Sequence, residues 1–218
     1  MPDAGALAAS HALVARIRAE LREHGNWISF ARYMEMALYE PGLGYYAAGS
    51  AKLGPGGDFV TAPELGPLFA QTLAAQVAEL LERSGGAILE FGAGSGGLAE
   101  GLLAELSRAG VDPPRYFIVE PSAELRGRQR RRIGARATWL DRLPERFRGV
   151  MIANEVADAL PVHALAWTDR GIMERGVCEN EGELAWAERA ASGAVLKAAG
   201  AIAVDVPPTG RYDSEIGL

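Results

Sequence analysis

Apolar residues recur at helical spacing from Leu7 to His24, through Leu13, Ile17 and Leu21, and Gly25 follows as a stop. A second helix is predicted over Ser29 to Tyr39, with Ser29 as its N-cap and Pro41–Gly42 ending it. The stretch "GSAKLGPGGDFVTAPELG" is rich in glycine and proline and reads as a long loop, a kind that is often functional in compact domains. Pro67 to Arg83 then places Leu68, Leu73, Val77, Leu80 and Leu81 on the apolar side of a long helix.

From there the rhythm becomes strand–helix alternation. "AILEF" (Ala87–Phe91), "RYFIVE" (Arg115–Glu120), "RATWL" (Arg136–Leu140) and "GVMIAN" (Gly149–Asn154) read as strands, with helices over Leu98–Ala109 and Ala123–Ile133. Such alternation predicts an α/β fold with a doubly wound, Rossmann-like parallel sheet. Ligands on these sheets sit at the carboxyl ends of the strands, so informative residues should follow each strand. After Pro161 the pattern changes to "VHALAWTD", "GIMERGVCEN" and "GELAWAERA", a three-stranded antiparallel meander with turns at Asp169–Gly171 and Asn180–Gly182. "GAIAVDV" reads as one more strand, and "PPTGRYDSEIGL" ends the chain without evident closure. The expected organisation is a helical region with a covering loop (1–86), a Rossmann-like core (87–162) and an antiparallel β insertion with a short end (163–218).

Composition narrows the function more than the fold. At 218 residues, 49% hydrophobic and 23% charged, the chain can bury a proper core. A net charge of −6 gives no general field for nucleic acid, and the basic run "RGRQRRR" on the second core helix reads as a solvated face. The single cysteine, Cys178, excludes an internal disulfide and a cysteine-rich zinc site, and three scattered histidines lack metal-ligand spacing, so no metal is expected. No apolar run is long enough to span a membrane, and the N-terminus lacks a secretory pattern. The expected location is cytoplasmic, or the mitochondrial matrix in a eukaryote.

The chemistry is concentrated in "ILEFGAGSGGLAE". Gly92, Gly94 and Gly97 fit the dinucleotide pattern G-x-G-x-x-G, whereas Glu90 with Gly92, Gly94 and Gly96 fits an acid followed by G-x-G-x-G. A dinucleotide site wants an acid about 20 positions on, at the end of the second strand. Asp112 has roughly that spacing but precedes the strand; Glu120 closes it. An anion at Glu90 would repel a pyrophosphate and suit a ligand bearing positive charge. Asp141, after the third strand, is placed to meet an adenine amino group. Acids after three successive strands favour S-adenosylmethionine, which has a sulfonium, an ammonium and two ribose hydroxyls and no phosphate.

The chain resembles the MidA family of class I S-adenosylmethionine-dependent methyltransferases, which includes the mitochondrial complex I assembly arginine methyltransferase. The resemblance rests on "ISFARYMEMALYEPGLGYY", "GDFVTAPELGPLFA", "ILEFGAGSGGLA", "YFIVEPSAELRGRQ" and "ANEVADALPVH", in the family's order. It implies that Gly92, Gly94 and Gly96 form the floor under the methionine part of the cofactor and that Glu120 takes both ribose hydroxyls. It further implies that Asp58 and Thr61, with Phe59 and Glu64, belong to a loop covering the cofactor. Glu155, with Asp158 and Asn154, would meet the acceptor after the fourth strand, pinning the guanidinium of an arginine on a partner protein. The family's chains are longer, with further sheet strands after "GRYDSEI", so one flank of the sheet should lack neighbours. An open strand edge invites association, a dimer being the simplest form. Two rivals stand beside the arginine methyltransferase: a non-catalytic binding module that aids protein-complex assembly, and an NAD-linked dehydrogenase, disfavoured by Glu90 and the position of Asp112.

Overall fold

The structure, a computed structural model, describes residues 4–47, 61–111, 115–202 and 210–218. In chain order the elements are α1 (Ala4–Glu23), β1 (Ile28–Ser29), α2 (Phe30–Tyr39), α3 (Ala62–Leu65), α4 (Pro67–Ser84), β2 (Ala87–Phe91), α5 (Gly97–Arg108), β3 (Tyr116–Val119) and α6 (Ala123–Ile133). Then come β4 (Thr138–Leu140), β5 (Gly149–Ala153), β6 (His163–Thr168), β7 (Gly171–Asn180), β8 (Glu183–Ala190), α7 (Gly193–Gly200) and β9 (Arg211–Ile216). They group into two compact units, Gly49–Asp158 and Met1–Ala48 with Ala159–Leu218.

The first of these units holds the predicted parallel sheet, in the order β4-β3-β2-β5. The chain runs outward from β2 through β3 to β4 and then crosses to the other side of β2 for β5. This reversal opens a crevice at the carboxyl ends of the central strands. Helices α4 and α5 pack through Ala70, Ala74, Leu98, Leu102 and Leu106, which join Ile88, Ile118 and Ile152 of the sheet in one buried cluster. Helix α6 starts where Ser122 accepts a hydrogen bond from the Leu125 amide at 3.3 Å, an N-cap that satisfies one free helix N–H. Its inward stripe is Leu125, Gln129 and Ile133, of which Gln129 and Ile133 are fully buried, while Arg130, Arg131 and Arg132 are exposed. At the two edges of this sheet, β4 pairs with β3 alone and β5 with β2 alone among the described residues, and Met151 of β5 is exposed.

The other unit is an antiparallel sheet with helices. Strands β6, β7 and β8 form the predicted meander, with Thr168 opposite Gly171 and Asn180 opposite Glu183 at its two turns. The two-residue β1 pairs with β7, Ile28 opposite Val177, and brings α1 and α2 onto the sheet through Ile17, Leu21 and Met36. Ser29 caps α2 as expected, accepting from the Arg32 amide at 3.1 Å.

At the chain's end, helix α7 runs to Gly200, so the expected strand "GAIAVDV" opens in a helix end; Ala201 and Ile202 form a turn after it, and residues 203–206 lie outside the described residues. "RYDSEI", in the segment read as ending the chain without evident closure, forms β9, an edge strand antiparallel to β6 with Trp167 opposite Tyr212. The alternation of Arg211, Asp213 and Glu215 with Tyr212, Ser214 and Ile216 is hidden by its polarity, because only one neighbour and one face are supplied by the sheet.

Candidate functional site

The strand register builds the site. In a parallel pair, residues opposite one another present their side chains to the same face. Tyr116 lies opposite Ile88 and Ile118 opposite Glu90, so Glu90 and the residue two beyond Ile118, Glu120, share one face. Both are buried, at 3% and 4% exposure, and both lie at the carboxyl end of the sheet. The Tyr116 hydroxyl reaches along the face and donates to Glu90 Oε2 at 2.7 Å.

Burial dominates the electrostatics of this pair. Desolvation pushes the Glu90 carboxyl up to about 7, the negative charge of Glu120 adds to the rise, and the Tyr116 hydrogen bond opposes it. Burial also raises Glu120, against the Ser122 amide, the Gln129 side chain and the Arg126 charge, all of which favour its ionised form. Tyr116 is pushed upward by burial and by Glu90, so its phenol stays protonated and keeps donating. Two carboxylates desolvated on one face call for a ligand that supplies a cation or hydrogen-bond donors.

Between β2 and α5 the chain turns through Gly92, Gly94 and Gly96, whose φ angles of 55°, 54° and 84° lie in the left-handed region. Glycine adopts this region without the Cβ penalty, and the turn carries the chain from the carboxyl end of β2 to the start of α5. A Cβ at Gly96 would sit 3.1 Å from Ile133 Cδ1, so α6 closes against the turn from behind. Gly97, which completes the alternative dinucleotide pattern, opens α5, and a Cβ there would meet Glu64 Oε1 at 3.1 Å.

The remaining expected residues are placed as follows. Asp141 is largely exposed just after β4, and Arg126 NH1 binds its Oδ1 at 2.5 Å, holding the carboxyl below the usual range. Thr61 occupies the N-cap position of α3 without a side-chain cap bond. Glu64, from α3, accepts a hydrogen bond from Ser95 of the glycine turn, and Arg132 NH1 donates to the same Ser95 hydroxyl at 2.9 Å. Asp58 and Phe59 lie outside the described residues. Asn154, Glu155 and Asp158 follow β5, with Glu155 and Asp158 exposed. Glu155 has φ of 54°, a left-handed backbone that costs a non-glycine residue energy and tends to persist at functional positions.

Sequence reasoning missed two residues, Gln129 and Arg126, because both lie in a run read as a solvated basic face. Arg126 Nε donates to the Glu120 carbonyl and NH2 to the Leu140 carbonyl at 2.8 Å, tying together the ends of β3 and β4. Gln129 joins the glycine turn to Glu120. The available signal was the i, i+4 spacing of Leu125, Gln129 and Ile133, which puts the amide in the apolar stripe. As to metals, one group among the described residues, Glu20, Glu23 and His24, brings ligand atoms within 4.8 Å of one another. Glu20 is already paired there with Arg32 and Arg16.

Comparison with known proteins adds the following. Residues 68–217 match the profile of a family described as "Putative S-adenosyl-L-methionine-dependent methyltransferase". A solved structure from Burkholderia thailandensis, bound to S-adenosyl-homocysteine, is 48% identical with a TM-score of 0.83, covering 99% of this chain and 58% of that one. A second structure from the same organism, solved in native form, is 47% identical with the same TM-score, covering 99% of this chain and 57% of that one. Among curated proteins, a mitochondrial protein arginine methyltransferase, NDUFAF7, of Danio rerio is 31% identical over 67% of this chain and 42% of its own length. Its Drosophila melanogaster homolog is 28% identical over 77% of this chain and 45% of its own length. The chain thus spans less than half the length of these curated relatives. No helix among the described residues is long and apolar enough to cross a membrane.

Proposed function

The chain belongs to this family of S-adenosyl-L-methionine-dependent methyltransferases, and on that premise we propose that it binds S-adenosylmethionine and methylates an arginine of a partner protein. The observation that carries the cofactor reading is the pair of buried carboxylates, Glu90 and Glu120, on one face beside the left-handed glycine turn. The acceptor set fits the cofactor. Glu120 offers a carboxylate to the two ribose hydroxyls, Glu90 faces the cationic end, and Gly92, Gly94 and Gly96 form the floor. Asp141 stands at the adenine rim, and Thr61 belongs to the segment that would cover the site; Asp58 lies outside the described residues.

Bound S-adenosylmethionine supplies a methyl group activated by its sulfonium. What the chain supplies is placement and exclusion of water, the main sources of acceleration for a displacement of this kind. Glu155, held in its left-handed conformation after β5, pairs with the acceptor guanidinium, and Asp158 and Asn154 provide further polar contacts. A carboxylate binds a guanidinium in bidentate fashion and so aims one nitrogen. Methylation replaces an N–H of the guanidinium by N–CH3, and the displaced proton is left to the Glu155 carboxylate or to water. The arginine specificity is supported by the two relatives named as protein arginine methyltransferases.

Calorimetric titration with S-adenosylhomocysteine and with NAD, followed by labelled methyl transfer to arginine-containing protein, tests the proposal. The expected result is homocysteine-derivative binding without NAD binding, weakened by Glu120→Ala. Glu155→Ala should retain binding and lose transfer. NAD binding alone would overturn the cofactor reading, and binding by the unmodified chain without any transfer would make it the assembly module.

A further inference from the structure

Gln129 is a fully buried amide in the middle of α6. Its Nε2 donates to the Gly94 carbonyl at 2.9 Å and to Glu120 Oε2 at 3.2 Å, while its Oε1 accepts from Trp139 Nε1 at 2.8 Å. An indole N–H can only donate, so the amide oxygen must face Trp139 and the nitrogen must face Glu120 and Gly94. The amide orientation is therefore dictated by its partners. Glu120 Oε1 accepts from the Ser122 amide at 3.0 Å, so both carboxylate oxygens are anchored. The lone pairs left over are held in fixed directions, and a carboxylate has enough of them to accept further donors.

We propose that Gln129 is a positioning residue for the cofactor: set by Trp139, it aims the Glu120 carboxylate and pins the Gly94 carbonyl of the glycine turn. One side chain then fixes both the ribose-holding group and the turn under the methionine end. The proposal rests on the reading of Glu120 as the ribose acceptor. A core amide that is merely satisfied would stabilise the fold without acting through Glu120, and this difference is measurable. The charged groups around Glu120 are Glu90 of β2, which repels it, and Arg126 of α6, which attracts it; the uncharged donors are the Ser122 amide and Gln129. Removing the Gln129 donor favours the protonated carboxyl, which accepts hydroxyl donors less well.

The test is calorimetric titration of the full chain with S-adenosylhomocysteine, using Gln129→Met, Glu120→Ala, the double variant and Trp139→Phe. Gln129→Met should weaken binding by roughly tenfold, the scale of one hydrogen bond to a charged group. In the Glu120→Ala background the same change should cost less than about threefold, because most of its effect travels through Glu120. The acid-side loss of affinity should also begin at higher pH in Gln129→Met than in the parent. Trp139→Phe, which frees the amide to flip, should weaken binding by about threefold. It decides the matter if circular dichroism shows that Gln129→Met does not fold. Parent-like binding by the folded single variants, or equal losses in both backgrounds, overturns the positioning role. An undiminished Glu120→Ala refutes the ribose reading instead, and a parent that does not bind refutes both.

Discussion

Replacing Glu90 with glutamine tests the electrostatics of the site without any ligand. The Glu90 carboxyl is raised from the ordinary 4.5 to about 7, by burial first and by the Glu120 charge second. The folded chain thus holds this proton more tightly than the unfolded chain does. The resulting stability is fully present below about pH 4.5 and is lost as the pH rises through about 7. At about 1.4 kcal/mol per pH unit, the whole difference is about 3 kcal/mol. A glutamine has no proton to lose, and its carbonyl can still accept from Tyr116. Urea unfolding of parent and Glu90→Gln, followed by far-UV circular dichroism between pH 4.5 and 8.5, measures the effect. The variant should gain on the parent progressively, by about 3 kcal/mol across the range, with most of the change between about pH 4.5 and 7 and little above it. A difference that does not vary with pH would refute the claim that a buried, protonatable carboxyl sits at this strand end.

Two further outcomes follow from backbone and packing. Glu155→Gly should raise the thermal midpoint, because glycine relieves a left-handed strain of about 1–2 kcal/mol at the cost of about 0.5–1 kcal/mol in chain entropy. The same variant should lose methyl transfer, so a drop in midpoint or an intact activity would count against a strained acceptor residue. A Cβ at Gly101 would lie 2.6 Å from Ala70 Cβ where α4 meets α5. Gly101→Val should therefore cost about 1–3 kcal/mol by overpacking, read from the urea midpoint, and an unchanged midpoint would show that the two helices can part without penalty.

The parallel sheet was legible because its signals are local and mutually consistent. Each strand is a short apolar run, each helix has an apolar stripe, and Ser29 caps α2 where the chain leaves β1. Glu90 and Glu120 could be placed at strand ends from pattern alone, and period-two alternation put Glu120 on the face of Ile118. Their burial could not be read this way, since it depends on α6 closing against the glycine turn. Gln129 was hidden for a related reason: in a run with five arginines, its i, i+4 spacing from Leu125 and Ile133 is a faint mark of being the residue turned inward. Strand β9 escaped because an edge strand needs only one partner, and its own composition, "RYDSEI", is polar. The signals that failed were those that another element has to supply.

The two buried carboxylates also decide between the ligand classes that the glycine pattern leaves open. Placing them on one face costs folding energy, since each is desolvated and each opposes the other's ionisation. The chain offsets part of that cost with donors of its own: Tyr116 to Glu90, Ser122 and Gln129 to Glu120. Arg126, whose charge acts on Glu120, spends its guanidinium on two backbone carbonyls and on Asp141. Among the described residues, no lysine or arginine contributes to the acidity of Glu90. A pyrophosphate would bring further negative charge to a face that already resists ionisation. A ligand with ribose hydroxyls at one end and a sulfonium and an ammonium at the other meets the unfilled acceptors and supplies the missing positive charge. The proposed preference for a cationic nucleoside therefore rests on where the acids are buried, and the glycine turn, common to both ligand classes, does not discriminate between them.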